Sequence, residues 1–80
     1  MTKPYHILIA PTAHQQIREL VPKSKKTVIK LLESLAINPR PLGARKIEGM
    51  TGLYCEQVNH TRILYKIDDQ EVLVLLVRHA

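Results

Sequence analysis

The run Val72-Leu73-Val74-Leu75-Leu76-Val77 most constrains what this chain can fold into. Six apolar residues, three of them β-branched, are too few for a membrane span and carry no helical stripe. Such a run reads as an inner strand, covered on both faces, with partners on both sides. Those partners lie just upstream. Leu53–Val58 reads as a strand, Asn59-His60 as a turn, Arg62–Ile67 as a strand, and Asp68-Asp69 as a second turn.

The N-terminal half supplies the cover. Tyr5–Ala10 is dense in β-formers and ends at Pro11. Thr12 with Gln15 three residues on reads as a capping box opening a helix, whose face is Ala13, Ile17, Leu20 and Val21. Pro22 breaks that helix and suits the first turn of the next, where Val28, Leu31, Leu32 and Leu35 form the apolar stripe. Asn38-Pro39-Arg40-Pro41-Leu42-Gly43 is a stiff loop, and Arg45-Lys46-Ile47 a short strand or an extended lead-in. The order βααβββ predicts one α+β domain over residues 1–80.

At 80 residues, most of the apolar content must serve the core. One cysteine, Cys55, forms no internal disulfide and suits a reducing cytoplasm. No segment approaches the roughly 18 apolar residues of a membrane span, so no membrane partner is expected. Charge is lopsided. Residues 1–50 carry nine Lys/Arg against three Glu, while residues 51–80 carry three against four acids. The basic half suits a polyanion such as RNA or DNA, or an acidic protein, and equally a solvated helix face. The four histidines show no metal-ligand spacing with Cys or carboxylates, and no phosphate loop or nucleophile elbow is present, so neither metal nor cofactor is expected.

Alternation in 62–67 sets Ile63, Tyr65 and Ile67 on one face and Arg62, Leu64 and Lys66 on the other. The first set fits beneath the helices, which leaves Arg62 on the open face. A one-residue slip would reverse this.

Several stretches, in their order and spacing, resemble the RelE/ParE toxin superfamily of toxin–antitoxin modules. They are Ala10-Pro11-Thr12-Ala13, Glu19-Leu20-Val21-Pro22, Leu32–Pro41, Arg45-Lys46-Ile47-Glu48-Gly49, Gly52-Leu53-Tyr54 and Arg62–Ile67. The resemblance implies a small curved, mainly antiparallel sheet with a two-helix hairpin on one face and a working surface on the other. It implies a toxin that cleaves messenger RNA in the ribosome, with ribosome and mRNA as partners. A RelB-like antitoxin would silence it, and operator DNA would be met only through the antitoxin complex. The alternatives are a non-enzymatic inhibitor of DNA gyrase, as in the ParE branch, or an inactive antitoxin-binding co-repressor.

Metal-free RNA cleavage must deprotonate a 2′-hydroxyl, stabilise charge on phosphate, and protonate the leaving 5′-oxygen. By the resemblance, Arg62 takes the middle task, since its planar fork grips phosphate oxygens in pairs. His79 and His60 are the further catalytic candidates, and Arg45, Lys46 and Arg78 the RNA-contacting ones. Arg62 could instead serve the sheet by pairing with Glu56 or Asp68, and His60 could be a plain turn residue. The family places basic residues where this chain has Cys55 and Gln57. It also carries an arginine-bearing tail after the last strand, where this sequence reads Arg78-His79-Ala80.

Overall fold

A computed structural model describes residues 3–79. The elements in chain order are β1 (His6–Ile9), α1 (Pro11–Arg18), α2 (Pro22–Ile37), β2 (Arg45–Lys46), β3 (Leu53–Val58), β4 (Thr61–Asp68) and β5 (Glu71–His79). Prolines start both helices. Pro11 and Pro22 each sit in the first turn, where a missing N–H costs nothing and φ is already helical. Thr12 is therefore inside α1 rather than capping it. The cap is Ala10, which makes no side-chain cap bond, and Gln15 instead donates from Nε2 to Glu19 Oε1 at 3.2 Å. Val21, placed by periodicity on the buried face, caps α2 and is exposed.

The five strands form one sheet in the order β1-β5-β4-β3-β2. Only β1–β5 is parallel, with His6 opposite Glu71 and Ile9 opposite Val74. Two-residue turns join β3 to β4 and β4 to β5. Their first residues, Asn59 and Asp69, take φ of 55° and 51°, a left-handed conformation these side chains tolerate. The Arg45–Lys46 segment is a true edge strand, antiparallel to β3.

Both helices cover the same face of the sheet. Ala13 of α1 and Val28, Leu32 and Leu35 of α2 close over Ile63, Tyr65, Ile67, Val72, Val74 and Val77. The expectation that β5 is covered on both faces does not hold. Leu73, Leu75 and Leu76 are half-buried, and no helix lies on their side.

Alternation breaks once, in β5. Leu64 pairs with Leu76, but Tyr65 pairs with Val74, so Leu75 is an extra residue in a β-bulge. The bulge lets Val72, Val74 and Val77 all reach the core, although strict alternation would turn Val77 out. Past the end of β1, the backbone N–H of Val77 donates to Gln16 Oε1 of α1 at 2.7 Å. Beneath the 38–44 loop, Tyr65 donates its hydroxyl to the carbonyl of Pro39 at 3.0 Å and stacks on Tyr54, with ring centroids 6.0 Å apart. Among the described residues, no helix is long and apolar enough to cross a membrane.

Candidate functional site

The uncovered face of the sheet carries the site. On β4 it presents Arg62, Leu64 and Lys66, since Ile63, Tyr65 and Ile67 are buried under the helices. Sheet register then fixes the neighbours. Arg62 lies opposite Gln57 of β3 on one side and opposite Arg78 of β5 on the other. Cys55 lies opposite Leu64, and beyond it Arg45 of β2 lies opposite Cys55.

These residues line two adjoining cavities that share Arg62 and Cys55. One, of about 460 Å³, has an apolar floor of Ile47, Leu64 and Leu76, with Arg62, Arg78 and His79 at its walls. The other, of about 510 Å³, is polar, lined by Gly43, Arg45, Gln57 and Asn59 besides the shared pair. Together they make one groove across the sheet. Among the described residues, no carboxylate lines either half. The two acids weighed as partners for Arg62 are elsewhere. Glu56 is on the helix face opposite Ile63, and Asp68 is at the far end of β4 opposite Glu71.

The bulge is what brings Arg78 here. With unbroken alternation Arg78 would share the face of Val72 and Val74, under the helices. The extra residue at Leu75 turns it onto the open face, directly across from Arg62. Like charges directly opposite on a sheet repel and lower stability. Two arginines so placed, with no acid on the groove wall, form a site that an anion would relieve.

The structure divides the sequence-nominated residues. Arg62, Arg78, Arg45 and His79 line the groove. Lys46 pairs with Tyr54 and so faces the opposite side from Arg45. His60 sits in the β3–β4 turn, outside the groove, with its ring centroid 6.1 Å from that of His79. Cys55 and Gln57 lie at the centre. The groove residues that sequence reasoning did not nominate are Gly43, Asn59, Ile47, Leu64 and Leu76. Apart from the alternation that puts Leu64 beside Arg62, nothing in the sequence marks them, because their placement depends on how the 38–44 loop and the bulge lie.

On the other face, Glu56 is 9% exposed, and its Oε2 has no hydrogen-bond partner. Burial pushes its carboxyl above the ordinary glutamate range. Its Oε1 would stand 3.0 Å from a Cβ at Gly43, so the buried acid packs directly behind the loop that walls the polar half of the groove. Arg40, on the same loop, donates from Nε to the Tyr54 hydroxyl at 3.1 Å and lies over that ring at 5.6 Å, so it holds the loop down and does not face the groove. Among the described residues, no three His, Cys, Asp or Glu side chains gather closely enough to hold a metal ion.

The family described as the ParE toxin of type II toxin–antitoxin system, parDE, matches residues 7–80. No curated protein matches the sequence. Among solved structures, the chain is similar to the toxin–antitoxin complex RelBE2 from Mycobacterium tuberculosis. Identity is 26%, covering 96% of this chain and 99% of that one, with a TM-score of 0.81. It is similar to the intact RelBE toxin–antitoxin complex of E. coli at 25% identity over 95% of this chain and 96% of that one, with a TM-score of 0.80. The archaeal RelE–RelB complex from Pyrococcus horikoshii shares the fold, with a TM-score of 0.85 over 95% of this chain and 94% of that one, at 18% identity.

Proposed function

This chain belongs to the ParE toxin family, within the RelE/ParE superfamily of type II toxin–antitoxin toxins, and on that premise we propose that its open-face groove binds and cleaves messenger RNA on the ribosome. The observation that carries this reading is the unrelieved Arg62–Arg78 pair, in register on one groove with no acid beside it. A phosphodiester seated there would meet two guanidinium forks. These would stabilise the charge that builds on the non-bridging oxygens when the 2′-oxygen attacks phosphorus. Arg45, at the far end, would steer the strand, and the apolar floor of Leu64, Leu76 and Ile47 would take the flat face of a base.

His79 is the one imidazole on the wall of this groove, and it would move the proton either from the 2′-hydroxyl or onto the leaving 5′-oxygen. Messenger RNA ends mapped after induction test the reading. Ribosome-dependent cleavage is expected, falling about 100-fold or more in Arg62→Ala, the scale of losing one transition-state donor. Absence of cleavage, or cleavage undiminished by that change, overturns it.

A second reading has its own support. Cys55 and Gln57, at the centre of the groove, offer no basic group, and the matching family is the ParE toxins. A non-enzymatic gyrase inhibitor would need neither base nor acid. Gyrase-dependent DNA breaks on induction, unaffected by His79→Ala, would favour it. Inactivity of an antitoxin-free chain in both assays would leave only the co-repressor role. On either active reading, the partner in the cytoplasm is a RelB-like antitoxin, because the similar structures are toxin–antitoxin complexes. Operator DNA is reached through that antitoxin.

A further inference from the structure

A third cavity, of about 550 Å³, opens where the start of α2 meets the β3–β4 turn and the end of β5. Lys23, Ser24, His60, Thr61 and His79 line it, and among the described residues no carboxylate does. The two imidazoles stand side by side, 6.1 Å between centroids and tilted by 52°. Thr61, only 3% exposed, is part of the cavity wall. α2 starts at the cavity rim with no side-chain cap on Val21 and no acid in its first turn, so its leading N–H groups keep their positive end free. A lysine among the lining residues, with neither thiolate nor carboxylate, is wrong for a cation. The same set suits an oxyanion, since ammonium, imidazole, hydroxyl and backbone N–H all donate.

Two residues tie this cavity to the groove. His79 and Asn59 are each in the wall of both. A chain of anions crossing Arg45, Arg62 and Arg78 therefore passes over His79 into the Lys23–His60 cavity without leaving a donor-lined surface. We propose that this cavity is a second phosphate site, which holds the backbone of the same RNA strand at least one nucleotide beyond the phosphate gripped by Arg62 and Arg78. The inference rests on the RNA reading of the groove and assigns Lys23 and His60 to binding the strand.

Fluorescence anisotropy with 2′-O-methyl RNA, which cannot be cleaved, tests it on the full chain. Binding is followed from about 50 to about 200 mM salt, where each phosphate contact on a single strand adds about 0.7 to the slope of log affinity against log salt. For an oligonucleotide of about ten residues, Lys23→Ala and His60→Gln are each expected to weaken binding severalfold, and Lys23→Ala, which removes a charge, to lower that slope by about 0.7. A three-residue oligonucleotide, which only fills the groove, should bind both variants as it binds the unchanged chain. Circular dichroism checks that the variants fold. If the long oligonucleotide binds both with unchanged affinity and slope while Arg62→Ala weakens it, the second site is overturned and the RNA reading stands. Inorganic phosphate shifting the His60 and His79 imidazole signals, with oligonucleotide binding unchanged in Lys23→Ala, marks an isolated anion site and overturns the assignment to a strand. If the unchanged chain binds neither oligonucleotide, the RNA reading falls and the second site with it.

Discussion

Arg62 and Arg78 face each other across two hydrogen-bonded strands, with nothing acidic beside them in the groove among the described residues. Such a pair costs the free protein stability that a bound anion returns. Arg78→Thr should therefore raise the melting temperature by a few degrees, equivalent to roughly 0.5 kcal/mol, while it lowers toxicity. Thermal unfolding followed with and without phosphate checks both halves, since phosphate should stabilise the unchanged chain more than the variant. Glu56 is a second residue held against its preference. Burial raises its carboxyl pKa above that of the unfolded chain, so the folded state keeps the proton longer. Stability present at acidic pH is then lost as pH climbs through the raised value. Glu56→Gln should remove that loss and melt higher than the unchanged chain at neutral pH, which unfolding curves at several pH values will show. Tyr65 is the opposite case, a buried hydroxyl with its partner. Tyr65→Phe strands the Pro39 carbonyl and should cost about 1 kcal/mol in denaturant unfolding.

At the scale of elements, most of the fold is legible in the sequence. Leu53–Val58 is a strand to the residue, and Pro22 starts α2 as its position suggests. The same logic misled at Thr12, because Pro11 can itself occupy a first helical turn and did not need a polar cap after it. The bulge at Leu75 is invisible in a run where every residue is apolar, since Val, Leu, Leu, Val carries no polar marker to show which side faces water. That one silent residue decides whether Arg78 lies beside Arg62 or beneath α1. Deleting Leu75 tests its role. Val74 and Leu76 then pair with Tyr65 and Leu64 as adjacent rungs of a regular ladder, so Val77 should stay in the core and Arg78 on the open face. Hydrogen exchange at Val77 should stay slow and the groove should keep its anion response; loss of either would show that the bulge does more than set which face Arg78 takes. Gly52 occupies a tight position that the sequence alone does not reveal. Its φ is +76°, and a Cβ there would sit 2.6 Å from the carbonyl oxygen of Ile67. Gly52→Ala should cost about 2 kcal/mol or more, because the atom in the way is backbone.

At the scale of the whole molecule, one face of a single sheet is packed under the helices and the other carries the arginine-lined groove. The core is ten buried residues drawn from both helices and two central strands, so a chain of 80 residues has little surplus with which to tolerate damage there. The charge asymmetry read along the chain reappears in space, though not as a simple basic half. Arg62 and Arg78 belong to the acidic third of the sequence but lie at the centre of the groove, flanked by Arg45 from the basic part. Charge counted along a chain is a poor guide to charge gathered by a sheet, because antiparallel pairing brings together residues 16 positions apart.

The parallel pairing of β1 with β5 has a consequence in time. The first strand to leave the ribosome finds its neighbour only after roughly sixty further residues have been made, about 3–12 s later at about 5–20 residues per second. Until then Ile7 and Ile9 have no strand to lie against, the Arg62–Arg78 pair does not exist, and α1 and α2 cover an unfinished sheet. A nascent copy therefore has no complete groove, and the interval before β5 emerges is one in which a ready-made partner can arrive first.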